Sequence, residues 1–299
     1  MTPVKVLVTG ANGMVGQSLI RLLLQQGYTV IGTGRGERRS MVQDPNLHYY
    51  AADITHPFDL QLVLQKELPE VVVHAAAMAG VDDCERLRNE AHAINVEATA
   101  RLLLDAETYS KYFVFLSTDF VFDGQQGMYR EDADPNPISW YGQTKLEAEA
   151  VVQTAEIPWA IVRTCLVYGK KPEGGRDNLY GWVLNSLRAG KAIQVVDDQW
   201  RTPTWVEDLS TGIALLIGRR ATGIWHLSGP DRWTPYRMAL EIAALHGLPS
   251  ELISRVTATE FSQPGRRPPL TGFNISKARR ELHYTPGALL DNLRRLQQG

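Results

Sequence analysis

The stretch VKVLVTGANGMVGQSLIRLLLQQG, residues 4–27, decides the fold. A short run of β-branched and apolar residues leads into glycines at positions 10, 13 and 16, and then into apolar residues at helical spacing that stop at Gly27. The pattern predicts a strand, a tight turn and a helix. Free N–H groups and the positive dipole end at such a helix start suit a phosphate, and the glycines let the backbone approach it. The spacing is GxxGxxG, one residue longer at the first gap than the GxGxxG of the dinucleotide motif. Glycines also serve ordinary turns and helix packing. Here the motif sits on the first strand of a βαβ series, which favours nucleotide binding and assigns Gly10, Asn12, Gly13, Met14, Val15 and Gly16 to a cofactor.

The same rhythm continues outward. Strand-like runs recur at YTVIGTG, LHYYAADI, EVVVHAAA, YFVFLSTDFVF and WAIVRTCLVYG, separated by helix-length segments such as PFDLQLVLQKEL and EAHAINVEATARLLLDAET. Nearly all-apolar strands alternating with helices predict a parallel sheet covered on both faces, a doubly wound α/β (Rossmann) fold. After Gly169 the rhythm breaks at the polar loop GKKPEGGRDN. Helices are expected over LYGWVLNSLRAG and PYRMALEIAALHG, strands at IQVVDD and GIWHLSG, and a last short helix after the irregular SQPGRRPPL. The expected organisation is a dinucleotide-binding domain over 1–169, with a returning segment near 204–228. A smaller α+β substrate domain would be built from 170–203 and 229–299.

Composition bounds the function. The 299 residues are 44% hydrophobic and 21% charged, as in a globular protein, and the net charge is −2. With a pI near 6.4 there is no electrostatic reason to expect nucleic acid or an anionic membrane as partner. The two cysteines, Cys84 and Cys165, have no metal or redox spacing and are expected as packed apolar residues, which fits a reducing compartment. The longest apolar run, Val71–Val81, is well short of a membrane span, and no secretory leader is read at the N-terminus. A soluble, cytoplasmic protein is expected, with no metal.

Cofactor type is read after the second strand. An NAD-preferring site usually presents an acidic residue there for the ribose hydroxyl. This chain has GTGRGERRS instead, with Arg35 near that position and Arg38 and Arg39 following. Guanidinium groups suit a 2′-phosphate by charge and forked geometry, so NADPH is expected, with NADH as the alternative that Glu37 keeps open. Arg39 also reads as part of a solvated loop. Asp53 and Ile54 end the third strand, where they would meet an adenine, or where Asp53 would cap the next helix.

SWYGQTKLEAEA, residues 139–150, places Tyr141 and Lys145 four apart, on one face of a helix. A free tyrosine ionises near pH 10, too high for an efficient acid at neutral pH, and a nearby ammonium would lower it. The pair follows a strand ending in Ser117, Thr118 and Asp119.

That combination resembles the extended short-chain dehydrogenase/reductase family, and within it the dTDP-4-dehydrorhamnose reductases. The matching segments are TGANGMVG, HAAAMAGVDDCE, STDFVFDG, YREDADPNPISWYGQTKLEAE, VRTCLVYG, VVDDQWRTPTWVEDLS and RRPPLTGFNISKARREL. The resemblance implies NADPH-dependent reduction of the 4-keto group of a nucleotide-linked deoxysugar. Tyr141 would be proton donor, Lys145 would hold the nicotinamide ribose and keep Tyr141 acidic, and Thr118 would bond the carbonyl oxygen. Asn95 matches a family asparagine that supports the site and is set among the cofactor residues; a buried, helix-kinking Asn is the other reading. Ala75, Ala76 and Ala77 would admit the nicotinamide half. Asp119, Phe120, Val121, Trp140, Gln199, Arg201 and Trp205, with Thr204 beside them, are candidates for the sugar nucleotide. Each tryptophan reads equally well as packing, and His74 and His226 read as core residues. Met78, Gly80, Trp200 and Arg201 depart from what relatives often carry, and a glutamate that in some relatives is linked to a dimer-bridging magnesium has no equivalent here. A homodimer is among the assemblies the resemblance allows.

Two other readings stay open. One is another nucleotide-sugar reductase, epimerase or dehydratase of the extended family; dehydration would want an acidic pair after the Thr, and only Asp119 is present. The other is a non-catalytic NADP-binding subunit like the regulatory β subunit of methionine adenosyltransferase.

Overall fold

The computed structural model describes residues 3–260 and 263–298. The strands are β1 (Lys5–Thr9), β2 (Thr29–Gly34), β3 (Leu47–Ala51), β4 (Val71–His74), β5 (Phe113–Thr118), β6 (Trp159–Thr164), β7 (Val167–Tyr168), β8 (Ile193–Val196), β9 (Thr204–Trp205), β10 (Gly223–His226) and β11 (Ile253–Val256). The helices are α1 (Met14–Gln25), α2 (Asp59–Glu67), α3 (Val81–Arg86), α4 (Arg88–His92), α5 (Ala98–Tyr109), α6 (Trp140–Gln153), α7 (Leu179–Arg188), α8 (Val206–Arg219), α9 (Pro235–His246), α10 (Ser276–Leu282) and α11 (Leu289–Gln298).

Seven of these strands form one parallel sheet in the order β10-β6-β5-β4-β1-β2-β3. Successive side chains of a strand point to opposite faces, and both faces here are buried. On β1, Val6 and Val8 enter one core while Leu7 enters the other. Each fully buried Val or Leu stabilises by roughly 1.5–3 kcal/mol. The chain leaves β1 for β2 on one side, and β4 flanks it on the other. That reversal opens a crevice at the C-terminal strand ends, where ligands of such sheets bind. A separate core gathers α7, α9, α11, β8 and β11 around Val183, Met238, Ile242 and Leu293. Among the described residues no helix is long and apolar enough to cross a membrane.

Three local departures from the sequence reading have physical causes. The expected sixth strand, WAIVRTCLVYG, divides into β6 and β7 because Leu166 adopts a left-handed φ of 38°. The expected helix over EAHAINVEATARLLLDAET divides into the end of α4, a π-helical stretch at Ala93–Glu97, and α5. Helix α8 is absent from the sequence reading, where Ser210, Thr211, Gly212 and Gly218 weaken its signal. Tertiary packing overrides that weakness: Gly212 faces Leu227 and Tyr284, and a Cβ there would come within 2.7 Å of Leu227.

Candidate active site

The loop between β1 and α1 is built by steric necessity. Gly10 takes φ +70°, and a Cβ on it would sit 3.0 Å from the backbone of Ala75 and Ala76 at the end of β4. A side chain on Gly16 would collide with the Gly10 carbonyl. The turn is closed by Gly13 N donating to Gly10 O at 2.8 Å. Gly13 caps α1 with no side-chain bond, so the first N–H groups of the helix remain for another acceptor.

This loop lines a cleft of about 890 Å³. Gly10, Asn12, Gly13 and Met14 form its floor, and Ala75, Ala76 and Ala77 one side. Arg35, Asp53 and Ile54 lie at its far end. Val15 and Gly16 are not part of the lining; Gly16 is buried behind the loop. Arg39, not Arg38, is the second arginine on the wall. Asn12 explains that choice. Its Oδ1 accepts from Arg39 N at 3.0 Å, while its Nδ2 donates to Glu37 O at 3.1 Å and to the Tyr49 hydroxyl at 2.9 Å. Asp53 lines the cleft and accepts from Thr55 N at 2.9 Å in a local turn; the reading of it as a cap for the next helix is corrected, because α2 starts at Asp59 after Phe58 with no side-chain cap.

The opposite wall was not foreseen. It comes from Pro172 and residues 175–178 of the loop read as merely polar. Gln17 Nε2 donates to Glu173 O at 3.0 Å, Glu173 N donates to Gln17 Oε1 at 3.1 Å, and Arg39 Nη1 donates to Gly174 O at 3.0 Å. The fold thus gives the cleft a second side from a segment distant in the chain from α1, which no local pattern announces.

A buried relay runs beneath the cleft. Thr99 Oγ1 donates to Asn95 O at 2.7 Å, so it accepts from His74 Nε2 at 3.0 Å. His74 Nδ1 is then the acceptor for Thr9 Oγ1 at 2.7 Å, whose oxygen accepts from Ala75 N and Ala76 N. His74 is a neutral core residue, its pKa pushed down to about 3 by burial and then by Lys145. Asn95, in the π-helical stretch, does not line the cleft. Its Oδ1 accepts from Met78 N at 2.8 Å, and its Nδ2 donates to Met78 O and to Thr144 Oγ1. Thr144 Oγ1 in turn donates to Tyr141 O at 2.9 Å. The sequence assignment of Asn95 to the cofactor is therefore corrected: it positions backbone around the site.

Helix α6 brings Tyr141 and Lys145 to Thr118 at the end of β5. Ser139 caps it, its Oγ accepting from Gly142 N at 3.1 Å. A side chain at Gly142 would strike the Phe120 carbonyl, so only glycine lets the helix dock here. These three residues do not line the cleft, whereas Met78, Ala79, Gly80 and Asp83 do. Met78 and Gly80 face the cleft, while Cys84 Sγ donates to Met78 O at 3.3 Å and Glu85 Oε1 accepts from Trp140 N at 2.7 Å.

The protonation logic differs from expectation. The sequence reading has Lys145 lowering the Tyr141 phenol. In the structure burial instead pushes that phenol well above its ordinary value, Thr118 works against the rise, and Asp119 and Cys84 add to it. Burial also pushes Lys145 down to about 7, with Glu149 opposing. Removing both groups from water disfavours phenolate and ammonium alike. Lys145 Nζ stands 3.9 Å from the Phe115 ring centre. Between pH 7 and 10.5 the unfolded chain therefore binds a proton on this lysine that the folded chain does not, and this residue makes stability rise with pH across that window. In Lys145→Met, urea unfolding compared at the neutral and alkaline ends of that window should show the increment removed.

Most expected substrate contacts are engaged within the protein, which corrects their reading as groups free to meet a sugar. Asp119 and Arg201 are buried and pair at 3.6 Å. Arg201 also donates to Trp200 O at 2.9 Å and Gln199 Oε1 at 3.4 Å. Val121 lies wholly inside the main core. Trp140 Nε1 donates to Arg88 O at 3.0 Å, fixing α6 to α4. Trp205 packs on the separate core, and Thr204 Oγ1 donates to Cys165 O. Phe120 alone of the set turns its ring to Tyr141, edge-on at 5.8 Å. Both cysteines are buried and unpaired, and His226 is buried.

The comparisons agree with this fold. A family model described as the RmlD substrate binding domain matches residues 4–297. A probable low-salt glycan biosynthesis reductase of Haloferax volcanii is 31% identical over 294 residues, covering 97% of this chain and 96% of the relative. The methionine adenosyltransferase 2 subunit beta of Bos taurus is 30% identical over 85% of this chain and 75% of its own. The crystal structure of dTDP-4-dehydrorhamnose reductase from Bacillus anthracis in complex with NADP is similar with a TM-score of 0.87, 26% identity and 99% coverage of both chains. The chain belongs to the RmlD substrate binding domain family, a branch of the extended short-chain dehydrogenases/reductases.

Proposed function

We propose that this protein uses NADPH to reduce the 4-keto group of a nucleotide-linked deoxysugar. The observation that carries the reading is that Thr118, Tyr141 and Lys145 gather at the end of β5, beside β4, whose following residues Ala75, Ala76 and Ala77 line the cleft floored by the glycine loop. The cleft fits the cofactor chemically. The free N–H groups of α1 and the close backbone at Gly10 suit a pyrophosphate. Arg35 and Arg39 suit a 2′-phosphate. Bound NADPH would supply the hydride for the carbonyl carbon. Tyr141 would deliver its proton to the carbonyl oxygen and regain one from solvent. Lys145 would orient a ribose and share charge with the phenolate as it forms. The Bacillus anthracis enzyme holds NADP, which supports the cofactor assignment.

The likeness to the methionine adenosyltransferase subunit favours one second reading, a regulatory NADP-binding subunit. Following NADPH oxidation against a panel of nucleotide-linked 4-keto sugars separates the two. Turnover with a dTDP-linked ketone supports the reductase. Silence across the panel, with tight NADP binding, supports the regulator.

Cofactor choice has its own test. Each guanidinium–phosphate contact is worth roughly 1.5–3 kcal/mol. Arg35→Ala with Arg39→Ala should weaken NADPH binding by about 10²- to 10⁴-fold, and leave NADH binding unchanged. Equal loss for both cofactors in isothermal titration would remove these residues from the 2′-phosphate.

A further inference from the structure

Tyr49 does not line the cleft, yet its hydroxyl holds the segment that carries both cleft arginines. It sits in the middle of β3, beside Gly32 of β2. Gly32 and Gly34 share one face of β2, and the Tyr49 ring crosses that face while packing on the main core. A Cβ on Gly34 would come within 3.3 Å of both the Tyr49 hydroxyl and Asn12 Nδ2. The hydroxyl shares its one hydrogen between Gly36 O at 2.8 Å and Gly34 O at 3.1 Å, and accepts from Asn12 Nδ2 at 2.9 Å. The other amide hydrogen of Asn12 goes to Glu37 O at 3.1 Å, with Arg35 O at 3.4 Å, and Asn12 Oδ1 accepts from Arg39 N at 3.0 Å. The carbonyls of residues 34–37 and the amide of Arg39 thus converge on two side chains.

Main chain held in this way decides which side chains face the cleft. Arg35 and Arg39 line it, whereas Glu37, between them, does not. Arg39 gives one donor to Gly174 O, and its guanidinium has others to offer a ligand. Guanidinium groups attract a phosphate, and a carboxylate in their place would repel it. We infer, resting on the NADPH reading above, that Tyr49 is a positioning residue that sets cofactor choice. Through Asn12 and the carbonyls of 34–37 it turns Arg35 and Arg39 toward the 2′-phosphate and keeps Glu37 away from it. Selectivity then depends on a hydroxyl behind the cleft as well as on the arginines that line it.

Tyr49→Phe tests this with little change of shape. Phenylalanine keeps the ring and its packing, while Gly36 O loses its donor and Asn12 Nδ2 loses an acceptor. Isothermal titration of the full chain should show NADPH bound about tenfold more weakly and NADH bound as by the parent. The NADH arm also reports that the fold and the glycine loop are intact. In the Arg35→Ala, Arg39→Ala background the same substitution should weaken NADPH no further, because its effect passes through those guanidinium groups. Equal loss for both cofactors overturns the proposal, and so does undiminished NADPH binding. A tenfold loss that persists without the arginines overturns it as well. If Tyr49→Phe folds poorly, Gly36→Ala is read in the same way: Gly36 has φ +70° and open space around it, so alanine strains this turn without touching the core. A parent that binds NADPH and NADH equally rejects the NADPH reading itself. A parent that prefers NADPH, with the preference unchanged in Tyr49→Phe, rejects only the role of Tyr49.

Discussion

Tyr141→Phe should bind NADPH as the parent does and reduce the keto sugar about 10³-fold more slowly. General acid catalysis contributes roughly 10²–10⁴-fold, and among the described residues no second acid is placed to replace this one. The nearby carboxyl of Asp119 is tied by Arg201, Thr271 and Cys165, and the Cys84 thiol is raised to about 11 by burial. Phenylalanine keeps the edge-on contact with Phe120, so packing is preserved. Cofactor titration by fluorescence and single-turnover reduction together decide the matter. Turnover within tenfold of the parent would place the proton donor elsewhere.

Glu149→Ala should destabilise the fold by about 3–5 kcal/mol, the usual effect of leaving a buried charge without its partner. Glu149 is fully buried in α6, and its two oxygens take Arg163 Nε at 3.0 Å and Nη2 at 2.6 Å. Ser117, one residue before Thr118, donates to the same carboxylate. Alanine would strand the Arg163 guanidinium between β6 and the helix, where its Nη1 already lacks a partner. Equilibrium unfolding in urea measures the loss. Because Glu149 also works to raise Lys145, the same variant should drive the lysine further toward its neutral form. A loss below about 1 kcal/mol would mean that water reaches Arg163.

What the sequence made legible is what short-range pattern encodes. The glycine loop, the apolar strands and the Tyr141–Lys145 spacing all lie within a few residues, and each appears in the structure where local rules put it. The wall at 172–178, the Asp119–Arg201 pair and the Asn95 clamp on Met78 join positions far apart in the chain. Polar side-chain type alone suggested ligands for Arg201 and Gln199, but in the buried interior Arg201 turns to Gln199 and to Asp119. Arg38 and Arg39 could not be ranked from sequence, since the choice depends on Asn12 reaching across from the glycine loop. The sign of the Tyr141 shift was illegible for the same reason: it is set by the protein mass around the phenol, with Asp119 and Cys84 adding to the rise.

The sheet order carries a consequence for biosynthesis. Strand β10 pairs with the open edge of β6, and Trp225, Leu227 and Tyr284 complete the core begun by Val6 and Val8. On a ribosome adding about 5–20 residues per second, roughly sixty residues separate the emergence of β6 from that of its partner, an interval of several seconds. Throughout it WAIVRT presents bare amides and carbonyls to any neighbouring nascent chain. Yield in a host should therefore respond to translation speed and chaperone supply over that interval, and a version of the chain cut before β10 should aggregate rather than fold as a smaller nucleotide-binding module.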